Sequence, residues 1–293
     1  MPVPSRVEEL EAALAASFDL EHLAIYADAL LSVGDPRGEL IQIDLHGNAA
    51  LDDRRAELER TWLADLPEHT TAITSCGFID VRVEHETSIQ QLFSSTYARQ
   101  IRRVTFSGWR GVVGTGLQTL SQGDVLPFLT EANFISADRS NQKLSGLGGD
   151  GFSRITPNLR TVTTRGVITF AKFQHTAVDD LAIEGAHIVY TPSRWPHVKR
   201  MSYAFEPLEE YGGGYSIENI AKLFELFDVP ALERLDLTGN TNPNYDVFDF
   251  LARVTLPPSV TEIHVPRIVA EHHPSQLLVA RQRHTNAQIF PQR

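Results

Sequence analysis

The stretch Leu232-Glu233-Arg234-Leu235-Asp236-Leu237-Thr238-Gly239-Asn240 decides the fold. Its leucines stand at the first, fourth and sixth positions. Side chains of an extended chain alternate between faces, so Leu235 and Leu237 point to one side and Arg234, Asp236 and Thr238 to the other. Asn240, three residues past the last leucine, is placed to bond backbone groups that a turn leaves open. Working outward, the same apolar spacing recurs at Phe78/Val81/Val83, Ile101/Val104/Phe106, Leu129/Ala132/Phe134, Leu159/Val162/Thr164, Val178/Leu181/Ile183, Val198/Met201/Tyr203 and Val260/Ile263/Val265, with Thr164 the one exception. Successive middle residues are 23, 28, 30, 19, 20, 34 and 28 positions apart. Gly108, Gly166, Gly185 and Gly239 each follow a middle residue by four positions, which suits a tight turn leaving the strand.

That spacing is the core pattern of leucine-rich repeats, complete in the seventh unit and without the asparagine in the others. Helical stretches separate several units. Ser88 to Phe93 leads into Ile101. Ser216 to Phe224 leads into Leu232, with Ser216 as N-cap and Ile217, Ile220, Leu223, Phe224 and Phe227 on one face. Val247, Phe248 and Leu251 precede Val260. Strand and helix alternation predicts an α/β solenoid, a parallel curved sheet with outer helices, over residues 71–270. Residues 271–293 read as a C-terminal cap or tail.

The first 70 residues read as three or four short helices. Val7, Leu10, Leu14, then Leu20, Leu23, Tyr26, Ala27, Leu30 and Leu31 recur at helical spacing. Gly34-Asp35-Pro36-Arg37-Gly38 stops the second run, and Leu51–Leu66 is rich in helix formers. Tyr26-Ala27-Asp28-Ala29-Leu30, followed by Gly34-Asp35-Pro36-Arg37-Gly38-Glu39-Leu40-Ile41, resembles the companion domain that precedes divergent leucine-rich repeats in many bacterial proteins. That family usually has tryptophan where Ala29 stands, and its Trp-Leu pair before the first repeat is matched by Trp62-Leu63. The resemblance covers residues 20–66. It implies a helical cap on a repeat array, and no reaction.

Composition excludes several function classes. No run approaches the ~18 apolar residues of a membrane helix, and the N-terminus lacks the apolar core of a secretory signal. A cytoplasmic protein is expected. The single cysteine, Cys76, excludes an internal disulfide and multi-cysteine metal sites. Residues 1–70 carry 15 acidic and 5 basic side chains, net −10, out of −11 for the chain. The remainder is close to neutral, so neither part has the clustered positive charge that binds nucleic acid.

Chemistry-bearing motifs are few. Gly146-Leu147-Gly148-Gly149-Asp150-Gly151 fits G-x-G-x-x-G, but its flanks read as loop, and residues 139–151 are expected to be a flexible insertion. Tyr211-Gly212-Gly213-Gly214-Tyr215, within 206–215, reads as a turn. Cys76 beside an apolar strand reads as buried filler, and His264, His272 and His273 as incidental surface histidines. No cofactor or metal is expected. The residues flanking the inward positions instead form a broad, mixed-charge outward face. Arg82, Arg103, Arg165, Arg200, Arg234, Asp236 and His264 on it are the expected contacts to a protein partner, since arginine is enriched where proteins meet. The expected function is a non-enzymatic recognition, scaffold or regulatory module. The competing reading is a hydrolase using Cys76 and a histidine, which requires a histidine within hydrogen-bond reach of the thiol.

Overall fold

The computed structural model describes residues 5–137, 142–144, 150–165, 168–170, 177–184, 193–204, 223–240 and 247–292. Ten strands form one sheet whose spatial order is their chain order: β1 (Thr70–Ser75), β2 (Phe78–Val83), β3 (Ile101–Gly108), β4 (Glu131–Ser136), β5 (Thr161–Arg165), β6 (Asp180–Glu184), β7 (Arg200–Ala204), β8 (Arg234–Asp236), β9 (Glu262–Pro266) and β10 (Gln288–Gln292). β1 and β2 are antiparallel. Every other neighbouring pair is parallel.

The middle residues of the eight sequence units stand on one ladder. Val81, Val104, Ala132, Val162, Leu181, Met201, Leu235 and Ile263 pair each with the next across β2 to β9, and Ile263 pairs with Ile289 of β10. All of them are buried, as are the third members from Val83 through Val265. Thr164 occupies its inward position by donating its hydroxyl to the Ala182 carbonyl at 3.4 Å. That bond answers the cost of placing a hydroxyl in an apolar layer.

Helices cover the inward side: α5 (Glu86–Phe93), α6 (Arg110–Gln122), α7 (Asp150–Ile155), α8 (Leu223–Leu226), α9 (Val247–Arg253), α10 (Arg267–His272) and α11 (Pro274–Arg283). Ile89 and Leu92, Val113, Leu117 and Leu120, Phe152, Phe250 and Leu251 join the inward strand residues in one core. No described helix is long and apolar enough to cross a membrane.

The described part of residues 1–66 contains four helices, α1 (Arg6–Ala16), α2 (Leu20–Ser32), α3 (Pro36–His46) and α4 (Asp52–Trp62). The glycine-aspartate-proline-arginine-glycine string makes the α2–α3 corner. Gly34 turns the chain at φ 76°, Asp35 caps α3 by accepting from the Arg37 N–H at 2.9 Å, and Pro36 opens the helix. The Arg37 guanidinium returns to Asp35 at 2.6 Å and donates to the Tyr26 hydroxyl at 3.2 Å. Burial pushes the Tyr26 phenol above its ordinary pKa, so it stays protonated and donates to Glu11 at 2.8 Å. Gly38 lets α3 press on α2, because a Cβ there would lie 2.6 Å from the Ala27 carbonyl oxygen.

The structure departs from the sequence expectation at several elements. Phe78 does not join the main core. A bulge between Ile79 and Asp80 puts Ile79 opposite Ile101, while Phe78 packs with Tyr26, Leu30 and Phe128 under the N-terminal helices. Phe227 is buried in a short strand, Phe227–Asp228, paired parallel with Ser193–Arg194, rather than on a helix. Residues 271–293, read from the sequence as a cap or tail, include α11 and the tenth strand, with Ile289 buried, and so end the sheet as an ordered segment. Gly108 has φ 150° but is the last residue of β3, paired with Ser136, and not part of a turn. Gly239 does stand in a turn, where a Cβ would sit 3.0 Å from the Ala204 Cβ. Gly166 and Gly185 lie outside the described residues.

Candidate functional site

The pleat that buries one set of side chains presents the other set on the opposite face, and strand register orders it into rows. One row runs Asp80, Arg103, Glu131, Thr161, Asp180, Arg200, Arg234, Glu262, Gln288. The next runs Arg82, Thr105, Asn133, Thr163, Ala182, Ser202, Asp236, His264, Phe290. A third places Ser107, Ile135, Arg165 and Glu184 side by side. Arg82, Arg103, Arg165, Arg200, Arg234, Asp236 and His264 therefore share one face, although they come from positions far apart in the chain.

Ion pairs, some across strands and some within one, lie on this face. Arg103 stands between two carboxylates, Glu131 at 2.7 Å and Asp80 at 3.6 Å. Arg82 pairs with Glu84 at 2.8 Å and donates to the Ser107 hydroxyl at the same distance. Arg165 meets Glu184 at 3.6 Å. Arg200 contacts Asp180 at 3.0 Å, and Arg234 contacts Asp236 at 3.1 Å. Exposed pairs of this kind each contribute about 0–1 kcal/mol, so the face is not held together by them. Burial pushes the Asp236 carboxyl up, but the Thr238 hydroxyl and N–H and the Arg234 guanidinium outweigh burial and hold it below the ordinary range.

His264 differs from the expectation. Its side chain is only 8 % exposed, 3.1 Å from Glu262 through Nε2, with its ring 5.2 Å from that of Phe290. It is neither a surface histidine nor an open contact, because β10 brings Phe290 beside it. His272 lies elsewhere, its Nδ1 2.7 Å from the Ile268 carbonyl oxygen at the end of α10.

Asn240 bonds backbone groups, donating its amide to the Tyr203 carbonyl at 2.8 Å and the Leu237 carbonyl at 2.9 Å. The glycine run 146–149 and residues 206–215 lie outside the described residues. The flanks of the glycine run are not loop, however. A three-residue strand, Gln142–Leu144, precedes it, paired with Ile168–Phe170 apart from the main sheet, and the six-residue α7 follows, burying Phe152 and Ile155.

Cys76 packs against the edge of the core under the N-terminal helices rather than inside it. It sits half-buried in the β1–β2 hairpin, where it and Gly77 both take positive φ, 52° and 74°, as a type I′ turn demands. Its N–H donates to Asp44 at 2.6 Å. Among the described residues no histidine hydrogen-bonds to it, and burial followed by the Asp44 charge raises the thiol pKa, opposite to the direction that activates a nucleophile. Among the described residues, no group of three or more His, Cys, Asp or Glu side chains is placed to hold a metal ion.

Among the concavities formed by described residues are three. One of about 250 Å³ lies between α1 and the strand starts, walled by Leu14, Phe18, Phe78 and Phe128. Others of about 400 Å³ and 580 Å³ lie beside the α9 and α11 C-termini and between α5 and α6. None includes a residue of the outward rows. In comparison with known proteins, no family model matches the chain and no curated protein matches its sequence.

Proposed function

We propose that the chain is a non-enzymatic protein-interaction module: a degenerate leucine-rich-repeat solenoid of the bacterial companion-domain type. In this reading α1–α4 are its helical cap. The outward rows form the concave surface that binds a protein partner, and the protein works in the cytoplasm as a recognition, scaffold or regulatory subunit. One observation carries the reading. Nine parallel strands in a single register bring polar side chains from Asp80 to Gln288 onto one continuous surface. Repeat proteins recognise partners on surfaces of that kind. The mixed charge and abundance of arginine suit protein better than nucleic acid or membrane. The raised thiol of Cys76, without a histidine beside it among the described residues, gives the hydrolase reading no support.

The test is affinity capture from the native host with the wild-type chain and an Arg103→Ala/Arg200→Ala variant. Neither side chain packs in the core, so the melting temperature should hold. Partner recovery should fall at least about tenfold. Recovery that is unchanged in this variant, but lost when residues 139–151 or 206–215 are replaced by a flexible linker, would contradict the reading.

A further inference from the structure

Charges on the first outward row alternate from strand to strand except at two places, a neutral residue and a pair of like charges. Asp80, Arg103 and Glu131 go minus, plus, minus; Thr161 is neutral; then Asp180, Arg200, Arg234 and Glu262 go minus, plus, plus, minus. Arg200 and Arg234 are directly opposite each other on neighbouring parallel strands, about 4.8 Å apart at the backbone. Like charges in that relation repel. Among the described residues each meets one carboxylate, and those stand apart: Asp180 touches Arg200 from β6, and Asp236 touches Arg234 from its own strand. Glu262, opposite Arg234, makes its contact with His264 instead. The two arginine side chains remain 60 % and 40 % exposed. Arg103, by contrast, is already bracketed by two carboxylates on the same row.

On the Arg200 side the second row is made of small side chains, Thr163, Ala182 and Ser202 in succession, whereas Asp236 stands beside Arg234. The small side chains leave room next to Arg200, and the planar forks of the two partly compensated arginines present donors in the geometry a carboxylate accepts.

We propose that Arg200 and Arg234 form a clamp for an aspartate or glutamate of the protein partner, whose chain reaches the pair over Ala182 and Ser202. The flanking Asp180 and Glu262 favour a basic residue on either side of that acid, so the partner segment reads basic, acidic, basic across the strands. This rests on the outward-face reading and ranks its residues: Arg200 and Arg234 anchor, while Arg103 is held within the sheet.

A random peptide library panned against the full immobilised chain supplies the probe. Wild type should enrich peptides with an acid flanked by Lys or Arg. Those peptides should bind the Arg200→Glu/Arg234→Glu variant at least about tenfold more weakly, and panning on that variant should enrich basic residues at the same position. Arg200→Gln/Arg234→Gln repeats the loss without new charge, which separates repulsion from misfolding. Gln118→Ala, on the exposed side of α6, should bind the peptides as wild type does. Ala182→Trp, which fills the space beside Arg200, should abolish binding. Peptides lost with Ala182→Trp but indifferent to both double variants would overturn the clamp and leave the outward face standing. Peptides indifferent to all three would mean that binding lies elsewhere and would overturn both.

Discussion

Asn240 shows what one polar side chain contributes when it closes the end of a strand. It is buried, and its amide satisfies the carbonyls of Tyr203 on β7 and Leu237 at the end of β8. Replacing it with alanine leaves both acceptors short of a donor away from water. Asn240→Ala should therefore cost about 1–3 kcal/mol in urea denaturation, and a loss under about 0.5 kcal/mol would contradict this role. The asparagine was legible in the sequence because it completes a pattern that leucines define. His264 was not. Its place on the outward row follows from alternation, but its burial depends on Phe290. That residue belongs to a strand with one apolar inward residue, Ile289, followed by proline. Phe78 was misplaced for a similar reason, since a bulge shifts the pleat by one residue without leaving a mark on the apolar spacing.

α6 is the element whose sequence argues most strongly against its structure. Gly111, Gly114 and Gly116 alternate with Val112, Val113 and Thr115, a composition poor in helix propensity. The reasons are in the packing. A Cβ on Gly111 would collide with the Glu86 carboxylate, and one on Gly116 would lie 2.5 Å from the Phe106 ring. That ring is stacked with Phe134 at 5.6 Å. A Cβ on Gly114 meets nothing within 4 Å. The two substitutions should thus act in opposite directions. Gly116→Ala overpacks the core and should destabilise by about 1–3 kcal/mol, whereas Gly114→Ala should stabilise by up to about 1 kcal/mol. Thermal melting of both variants checks the pair, and a shift of the same sign in each would contradict the packing. The strands were easier to read than the helices because period two survives any loop length between units. Helices here are short, and their apolar faces are set by neighbours that the sequence does not place side by side.

At the scale of the molecule, the N-terminal helices and the sheet are interdependent. Leu14, Leu23, Tyr26 and Leu30 share a core with Phe78 at the start of β2 and Phe128 ahead of β4. Asn158 donates to the Ala15 and Pro127 carbonyls, both at 2.8 Å, which ties α1 to the strand starts. Trp62, Leu63 and Leu66 pack against the main core. A 67–293 fragment loses all of these partners, exposes two buried phenylalanines and should aggregate on expression. A monodisperse fragment with the native melting temperature would contradict that dependence. The central claim is that partners bind the strand face opposite the helices. Photo-crosslinking measures this most directly, with a photoreactive amino acid placed at Thr163 on the outward face or at Gln118 on the exposed side of α6. After capture from the native host, irradiation should link the partner to position 163 and leave position 118 unlinked. A partner that links at 118 and not at 163 would contradict the account.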